Sequence, residues 1–479
     1  MERGGMGMRR KRVQGAALLL AGALLLQPLT GHCMELSLQE AIDTALCNNT
    51  SLRVTQKAED KAEANLRKAR GTNGLTISAS DNLNTSKSSD SERSSSNSFG
   101  LSASLPVYTG GKNQASIKSS ELGVDAAVLS TERARENMKL SVIKAYYDAL
   151  EAKKNIDVYQ ERVDKYQAHY TNVQQLYSAG SKARVDVLRS SVELSNAQQD
   201  LIRSQNGYEV NLAVLRNLMN VDRSEPIQLT DDFVYDLFQI DMPDCILYAY
   251  EHRKDLKVDE VTLEQRELAI KSAKAGYLPT VRLSVGVDPL KTRLEPSASS
   301  SSGWSAGLNA NWNIFDSGVT SAEVDSAKTE RDIAELTLQK DREEIDLALR
   351  KAYFNMREAE KRLNSTKLAV DQAREDSYIA TEKYRAGEGI MLDVIDAQEA
   401  LTASQYNYIS AQYDYVRYKA EVENAMGIGL TEEEALASMG MVQESKPVTE
   451  ETGQSEKAVT DTASAEKVAE EAAGSEVGR

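Results

Sequence analysis

Two stretches of the chain spell the same turn: YSAGSKARVDVLRSS from Tyr177 and YRAGEGIMLDVIDAQ from Tyr384, 207 residues apart without a gap. The match continues in both directions. At the same offset Leu105-Pro-Val-Tyr-Thr-Gly-Gly answers Trp312-Asn-Ile-Phe-Asp-Ser-Gly, Lys144-Ala-Tyr-Tyr answers Lys351-Ala-Tyr-Phe, and Tyr208 answers Tyr415. Upstream the offset becomes 204, with Ile42, Ala45, Leu52 and Val54 answered by Ile246, Ala249, Leu256 and Val258. Short periods build solenoids; one this long duplicates a whole folding unit. Whatever one half folds into, the other must fold into as well.

Each half reads helix, strand, loop, strand, very long helix, turn, helix. The long helix is expected from Lys112 to Ser178, a stretch with no proline and only Gly123 inside it. Ile156, Tyr159, Val163, Tyr166, Tyr170, Val173 and Tyr177 recur at 3-4 spacing, which makes a heptad seam. The second half repeats that rhythm from Leu349 through Ala352, Met356, Ala359, Leu363, Thr366, Val370, Ala373, Ser377 and Ala380 to Tyr384. A further stripe, Leu140, Ile143, Tyr147 and Leu150, runs beside Val142, Ala145, Ala149 and Ala152. Two seams on one helix call for a neighbour on each side, as in a curved wall. At 1.5 Å per residue such a helix spans about 100 Å.

The strands alternate with period two. Leu75, Ile77, Ala79 and Leu83 share one face, as do Phe99, Leu101, Ala103, Leu105 and Val107. In the second half Val281, Leu283, Val285 and Val287 do the same, and so do Trp304, Ala306, Leu308, Ala310, Trp312 and Ile314. The Ser-rich segments 86–97 and 288–303 are expected to be hairpin loops. Trp304 and Trp312 stand eight residues apart, about 26 Å along a strand and near 20 Å along the normal of a bilayer at a tilt of about 40°. Two aromatic girdles need that separation; a soluble sandwich with both tryptophans in its core is the other possibility. If the sheet lies in lipid, four strands cannot close it, and an open edge is too costly there. The strands would then be shared between chains. Three chains give twelve strands and twelve helical columns, although closure by itself also permits two or four.

The termini carry different information. Arg9, Arg10, Lys11 and Arg12 precede an apolar run from Val13 to Leu26, the pattern of a secretory signal peptide. Cleavage is expected between Thr30 and Met34, and Leu29 to Cys33 faintly resembles a lipidation site, with His32 out of pattern. The net charge is −16, of which −8 lies in the Ala-, Glu-, Ser- and Thr-rich tail from Thr431, expected to be disordered. With no basic tract, a nucleic-acid partner is not expected. Cys47 and Cys245 are expected to be separate small hydrophobes on helices. Among the three histidines, His32 is expected to leave with the signal, while His169 and His252 are expected to be solvated or capping. No zinc spacing, nucleophile elbow or phosphate loop is present, so neither enzyme activity nor a cofactor or metal is expected.

Taken in order, the twofold repeat, the LSLQEAIDTAL opening at Leu36, the AGYLPTVRLSVG junction at Ala275 and the two Tyr-x-Ala-Gly…Asp-Val-(Leu/Ile) turns resemble the TolC-like outer-membrane efflux family over residues 36–428. The resemblance implies a mainly α fold with a membrane β-barrel portion. A homotrimer would form a 12-stranded β-barrel in outer-membrane lipid, continued by a 12-helix α-barrel across the periplasm. It further implies a passive conduit for efflux or type I secretion, docked to a periplasmic adaptor protein and an inner-membrane pump. The corresponding division is a signal at 1–33, a first repeat at 34–220, a linker at 221–243, a second repeat at 244–428 and the tail at 429–479.

Several residue roles follow from the resemblance alone. Gly180 and Gly387 make the tip turns. Asp393 and Asp396 match aspartates that narrow the tunnel entrance, where spacing by three puts both on one helix face. In a first helical turn they also simply complement the dipole. Asp186 and Tyr384 match partners in a gating link. Gly389 stands where the resemblance implies an arginine, two residues after the second-turn glycine. Lys182 and Arg184 could compensate for it, contact an adaptor, or be solvated. Trp304 and Trp312 would form the membrane girdle. The rival reading is a periplasmic or surface coiled-coil scaffold or adhesin without a pore.

Overall fold

A computed structural model describes residues 34–87, 94–223, 226–293 and 300–429. The expected signal peptide, lipidation site and nearly all of the acidic tail lie outside them. The chain runs β1 (Met34–Leu36), α1 (Leu38–Asn48), α2 (Thr50–Thr72), β2 (Thr76–Ser86), β3 (Ser94–Tyr108), α3 (Lys112–Ser178) and α4 (Arg184–Met219). It continues β4 (Ile227–Leu229), α5 (Met242–His252), α6 (Lys254–Lys274), β5 (Thr280–Arg293), β6 (Ser300–Asn311), α7 (Val319–Ala386) and α8 (Met391–Met426).

The repeat governs the element boundaries. α1 and α5 start 204 residues apart, as do α2 and α6, whereas α3 and α7, and α4 and α8, start 207 apart. The three-residue change therefore falls in the hairpins. The single helix expected at the head of each half is in fact two. The chain breaks at Asn49, whose side chain accepts from Ser51 N at 2.8 Å, and at its counterpart Arg253, both in extended backbone.

The four long strands form one antiparallel sheet in the order β2-β3-β5-β6. Register places Ile77 beside Ala103, Ala103 beside Val285 and Val285 beside Ala306; the next row is Ala79, Leu101, Val287 and Trp304. The apolar sides of all four strands thus fall on one face, and that face is bare: Leu308 is 67% and Trp304 80% exposed. The other face carries Ser78, Ser80, Ser102, Ser104, Ser284, Ser305 and Asn309. Pairing continues to Ser94, Arg293 and Ser300, so the hairpin loops are shorter than 86–97 and 288–303. Those Ser-rich flanks pair through their backbone, which needs no apolar alternation. β6 stops at Asn311, and Trp312 follows it, its indole Nε1 donating to the Tyr277 carbonyl at 3.0 Å.

The apolar core sits away from the sheet, in the helices. Around the first repeat, Val142, Ala145, Tyr146, Ala149 and Leu150 of α3 pack with Leu212, Leu215 and Met219 of α4 and with α1. The Tyr146 hydroxyl donates to the Leu36 carbonyl at 2.8 Å and to Asp231 at 2.9 Å. β1 pairs in parallel with β4 beside this cluster. The second repeat builds the matching cluster from Leu349, Ala352, Met356 and Ala359 of α7 with Tyr415 and Val422 of α8. The connection 230–241 is part of the packing, because Phe238 and Ile240 are buried in that second cluster. Cys47 is exposed and Cys245 buried, both as free thiols. No described helix is long and apolar enough to cross a membrane.

Candidate functional site

The expected site lies at the far end of the long helices, where each half turns back. Gly180 (φ 76°) and Gly387 (φ 83°) both adopt left-handed backbone, which glycine reaches without a Cβ penalty. The turns close alike: Ser181 N donates to Leu176 O at 2.8 Å, and Glu388 N to Lys383 O at 2.9 Å.

Their surroundings differ. The seam of α7 stays inward down to Tyr384, which is 2% exposed, whereas its counterpart Tyr177 is 44% exposed. Tyr384 packs with Val173 of α3 and with Met391 and Val394 of α8, making a small apolar cluster that joins the two hairpins. Lys182 lies over the Tyr384 ring at 4.1 Å from its centroid, a cation–π contact. The Tyr384 hydroxyl has no hydrogen-bond partner. Burial, with the Asp186 carboxylate nearby, pushes its pKa up. Asp186 and Tyr384 are thus near one another but are not hydrogen-bonded here. Arg184 is exposed on the first turn of α4.

His169 is not solvated or capping. Its ring is tilted against Tyr384 with centroids 5.2 Å apart, and Nε2 is 2.9 Å from Met391 Sδ. Burial lowers its pKa; Asp186 opposes that effect and Lys182 adds to it. His252 Nδ1 donates to the Tyr248 carbonyl at 3.0 Å, at the end of α5. The tip role of His169 was not legible, because nothing in the sequence says that α3 and α8 are neighbours.

Gly389 has a steric reason. A Cβ there would come within 3.1 Å of Tyr384 N and 3.2 Å of Lys383 Cβ. A side chain at this position would crowd the turn, and its neighbours would have to give by a few tenths of an ångström. Asp393 and Asp396 are both exposed on the first turns of α8, opposite the buried Met391, Val394 and Ala397. Asp393 also accepts from Ile390 N at 3.4 Å, so it caps the helix as well. Among the described residues no cluster of acidic, histidine or cysteine side chains could hold a metal ion.

The outer membrane efflux protein family profile matches residues 41–221 and 247–428, one match per repeat. The chain belongs to the outer membrane efflux protein family. It is 26% identical over 428 residues to the probable efflux pump outer membrane protein TtgC of Pseudomonas putida, covering 84% of this chain and 85% of that one. It is 22% identical over 317 residues to the alkaline protease secretion protein AprF of Pseudomonas aeruginosa, covering 64% and 65%. Among solved structures it superposes on the Campylobacter jejuni CmeC outer membrane channel with a TM-score of 0.71 at 17% identity, covering 85% of this chain and 90% of that one. Like other members of the outer membrane efflux protein family, it is an outer-membrane channel component that extends into the periplasm. The fold is mainly helical with a membrane β-barrel portion and two internal repeats. A scaffold without a pore does not account for the bare apolar sheet face.

Proposed function

We propose that three copies of this chain close into one conduit that carries efflux or type I secretion cargo passively, served by a periplasmic adaptor and an inner-membrane pump. The observation that carries this reading is the sheet: apolar on one side, Ser- and Gly-rich on the other, with β2 and β6 as unpaired edges. In hydrocarbon those edges must pair, and β6 of one copy meets β2 of the next. Twelve strands at about 4.8 Å spacing and a tilt of about 40° enclose a barrel about 24 Å across between strand axes. Below the barrel, α3, α4, α7 and α8 of each copy supply the tunnel wall. The pump supplies the energy, so the channel needs no catalytic residue.

In this assembly Gly180 and Gly387 form the tunnel mouth. Asp393 and Asp396 of three copies place six carboxylates around one axis, a trap for cations at the constriction. Asp186 and Tyr384, with Lys182 over the ring, form the link between hairpins that a gate would break. Trp304 and Trp312 mark the two membrane interfaces. The test is conductance of the purified protein in planar bilayers. Wild type conducts and is blocked by multivalent cations, and Asp393→Ala with Asp396→Ala weakens that block. A wild-type protein without conductance sinks the channel, while unchanged block in the double variant sinks only the carboxylate ring.

A further inference from the structure

The two hairpins of one chain, α3/α4 and α7/α8, meet along the antiparallel seam between α3 and α8. Ion pairs are spaced along it. Lys144 pairs with Glu421, and Arg417 reaches Asp148 and Glu151 at 2.6 Å each. Further toward the tip, Arg162 of α3 bridges Asp200 of α4 at 2.9 Å and Glu399 of α8. Tyr166 Oη donates to Glu399 at 3.1 Å, and the Arg162 guanidinium lies 5.6 Å from the Tyr166 ring centroid. The Arg162 side chain is only 10% exposed. At the same height Gln405 donates to Glu161 at 3.1 Å.

Among the described residues, no ion pair across this seam lies nearer the tips than Arg162–Glu399. Below the clasp, the stretch from Arg162 to Ser178, about 24 Å of helix, is joined to the second hairpin by uncharged packing, by His169 on Met391 and by Lys182 on Tyr384. That lower contact is soft: the Tyr384 hydroxyl is unpartnered, and Gly389 offers no side chain to tighten it.

We infer that the Arg162–Glu399–Tyr166 clasp is the fulcrum of the tunnel mouth, the positioning group that sets how far up the hairpins part when the channel opens. Below it the tips separate at the cost of one cation–π contact, the His169 contacts with Met391 and Tyr384, and a small apolar cluster. Above it the seam stays shut. Without the clasp, parting runs on to the next ion pair at Glu151, eleven residues or about 17 Å higher. The two arms of Arg162 have different duties. The Asp200 arm ties helices of one hairpin and does not resist opening; the Glu399 arm ties hairpin to hairpin and does.

This inference rests on the channel reading, and the experiment separates the two. Single-channel recordings of the full-length protein compare wild type, Glu399→Gln, Tyr166→Phe and Asp200→Asn. Loss of a charge-assisted but half-exposed bond shifts the open fraction about fivefold, so Glu399→Gln opens the channel to that extent. Tyr166→Phe moves the same way by less, and Asp200→Asn leaves gating unchanged. An open fraction in both Glu399→Gln and Tyr166→Phe equal to wild type overturns the inference. So does an Asp200→Asn effect as large as that of Glu399→Gln, because a merely structural tie would respond equally to either arm. Absence of conductance in wild type would instead overturn the channel.

Discussion

Replacing Leu283 by Arg is the sharpest test of which side of the sheet meets lipid. Leu283 pairs with Leu308, which stands four residues from Trp304 and four from Trp312. Four residues of strand are about 13 Å, or about 10 Å along the normal at a tilt of about 40°. Leu283 is therefore at the midplane if the tryptophans mark the two interfaces. A guanidinium there costs about 2–4 kcal/mol per copy, or about 6–12 kcal/mol for three copies if the contributions add. The control is Ser284→Arg on the adjacent, polar face, where water is available. Urea unfolding in lipid vesicles, followed by loss of the oligomer on unheated gels, reads both variants. Leu283→Arg loses most of its assembled population while Ser284→Arg assembles like wild type. Equal loss in the two variants would refute the assignment of faces, and with it the barrel.

The remaining predictions concern the helical body. Gly427 (φ 77°) closes α8 against Arg253, and an added Cβ would lie 2.9 Å from Arg253 Cγ and 3.1 Å from its Cα. Gly427→Ala therefore costs more than the roughly 1–2 kcal/mol of left-handed backbone. Gly180→Ala, with open space around it, costs only that backbone term, so chemical denaturation should rank Gly427→Ala well below Gly180→Ala. Asp259 is raised to about 6, first by burial and then by Asp341 and Asp255. A raised carboxyl means that the folded state holds a proton the unfolded state has released. Stability therefore falls as pH rises through that window, up to about 6, and the penalty is complete above it. Asp259→Asn should raise the melting temperature at neutral pH and leave it unchanged below the ordinary carboxylate range; a rise of equal size at both ends would refute this.

Elements whose side chains face two different media were legible. The α7 seam from Leu349 to Tyr384 and the alternation of Leu283 with Ser284 are visible because each neighbour in sequence meets a different environment. The ends of α3 follow from the same logic, since glycine turns bracket an uninterrupted periodic stretch. Lateral neighbours were not legible. The α3–α8 seam, the β1–β4 pairing and the clasp at Arg162 join residues more than 180 positions apart, and a charged residue on a helix reads as solvated until its partner is known. His169 was misread for the same reason. The Ser-rich strand flanks were misread because a polar strand satisfied by its backbone carries no period. At the tip, Gly389 could be read as a missing arginine, but only the turn geometry shows that a side chain there would crowd Tyr384 N and Lys383 Cβ.

The polar face of the sheet carries one more consequence. Ser78, Ser80, Ser102, Ser104, Ser284, Ser305 and Asn309 are short and uncharged, with Arg282 near the helical end and Asp288 toward the other end as charged exceptions. Between those two charged levels the wall offers a passing solute neither a greasy ledge nor a strong ionic foothold, so residence on it is brief. Passage is then sorted by girth and not by chemical liking. Exporters of unrelated cargo could share this exit, and exchanging its strands for other short polar ones would leave the range of exported compounds as it was.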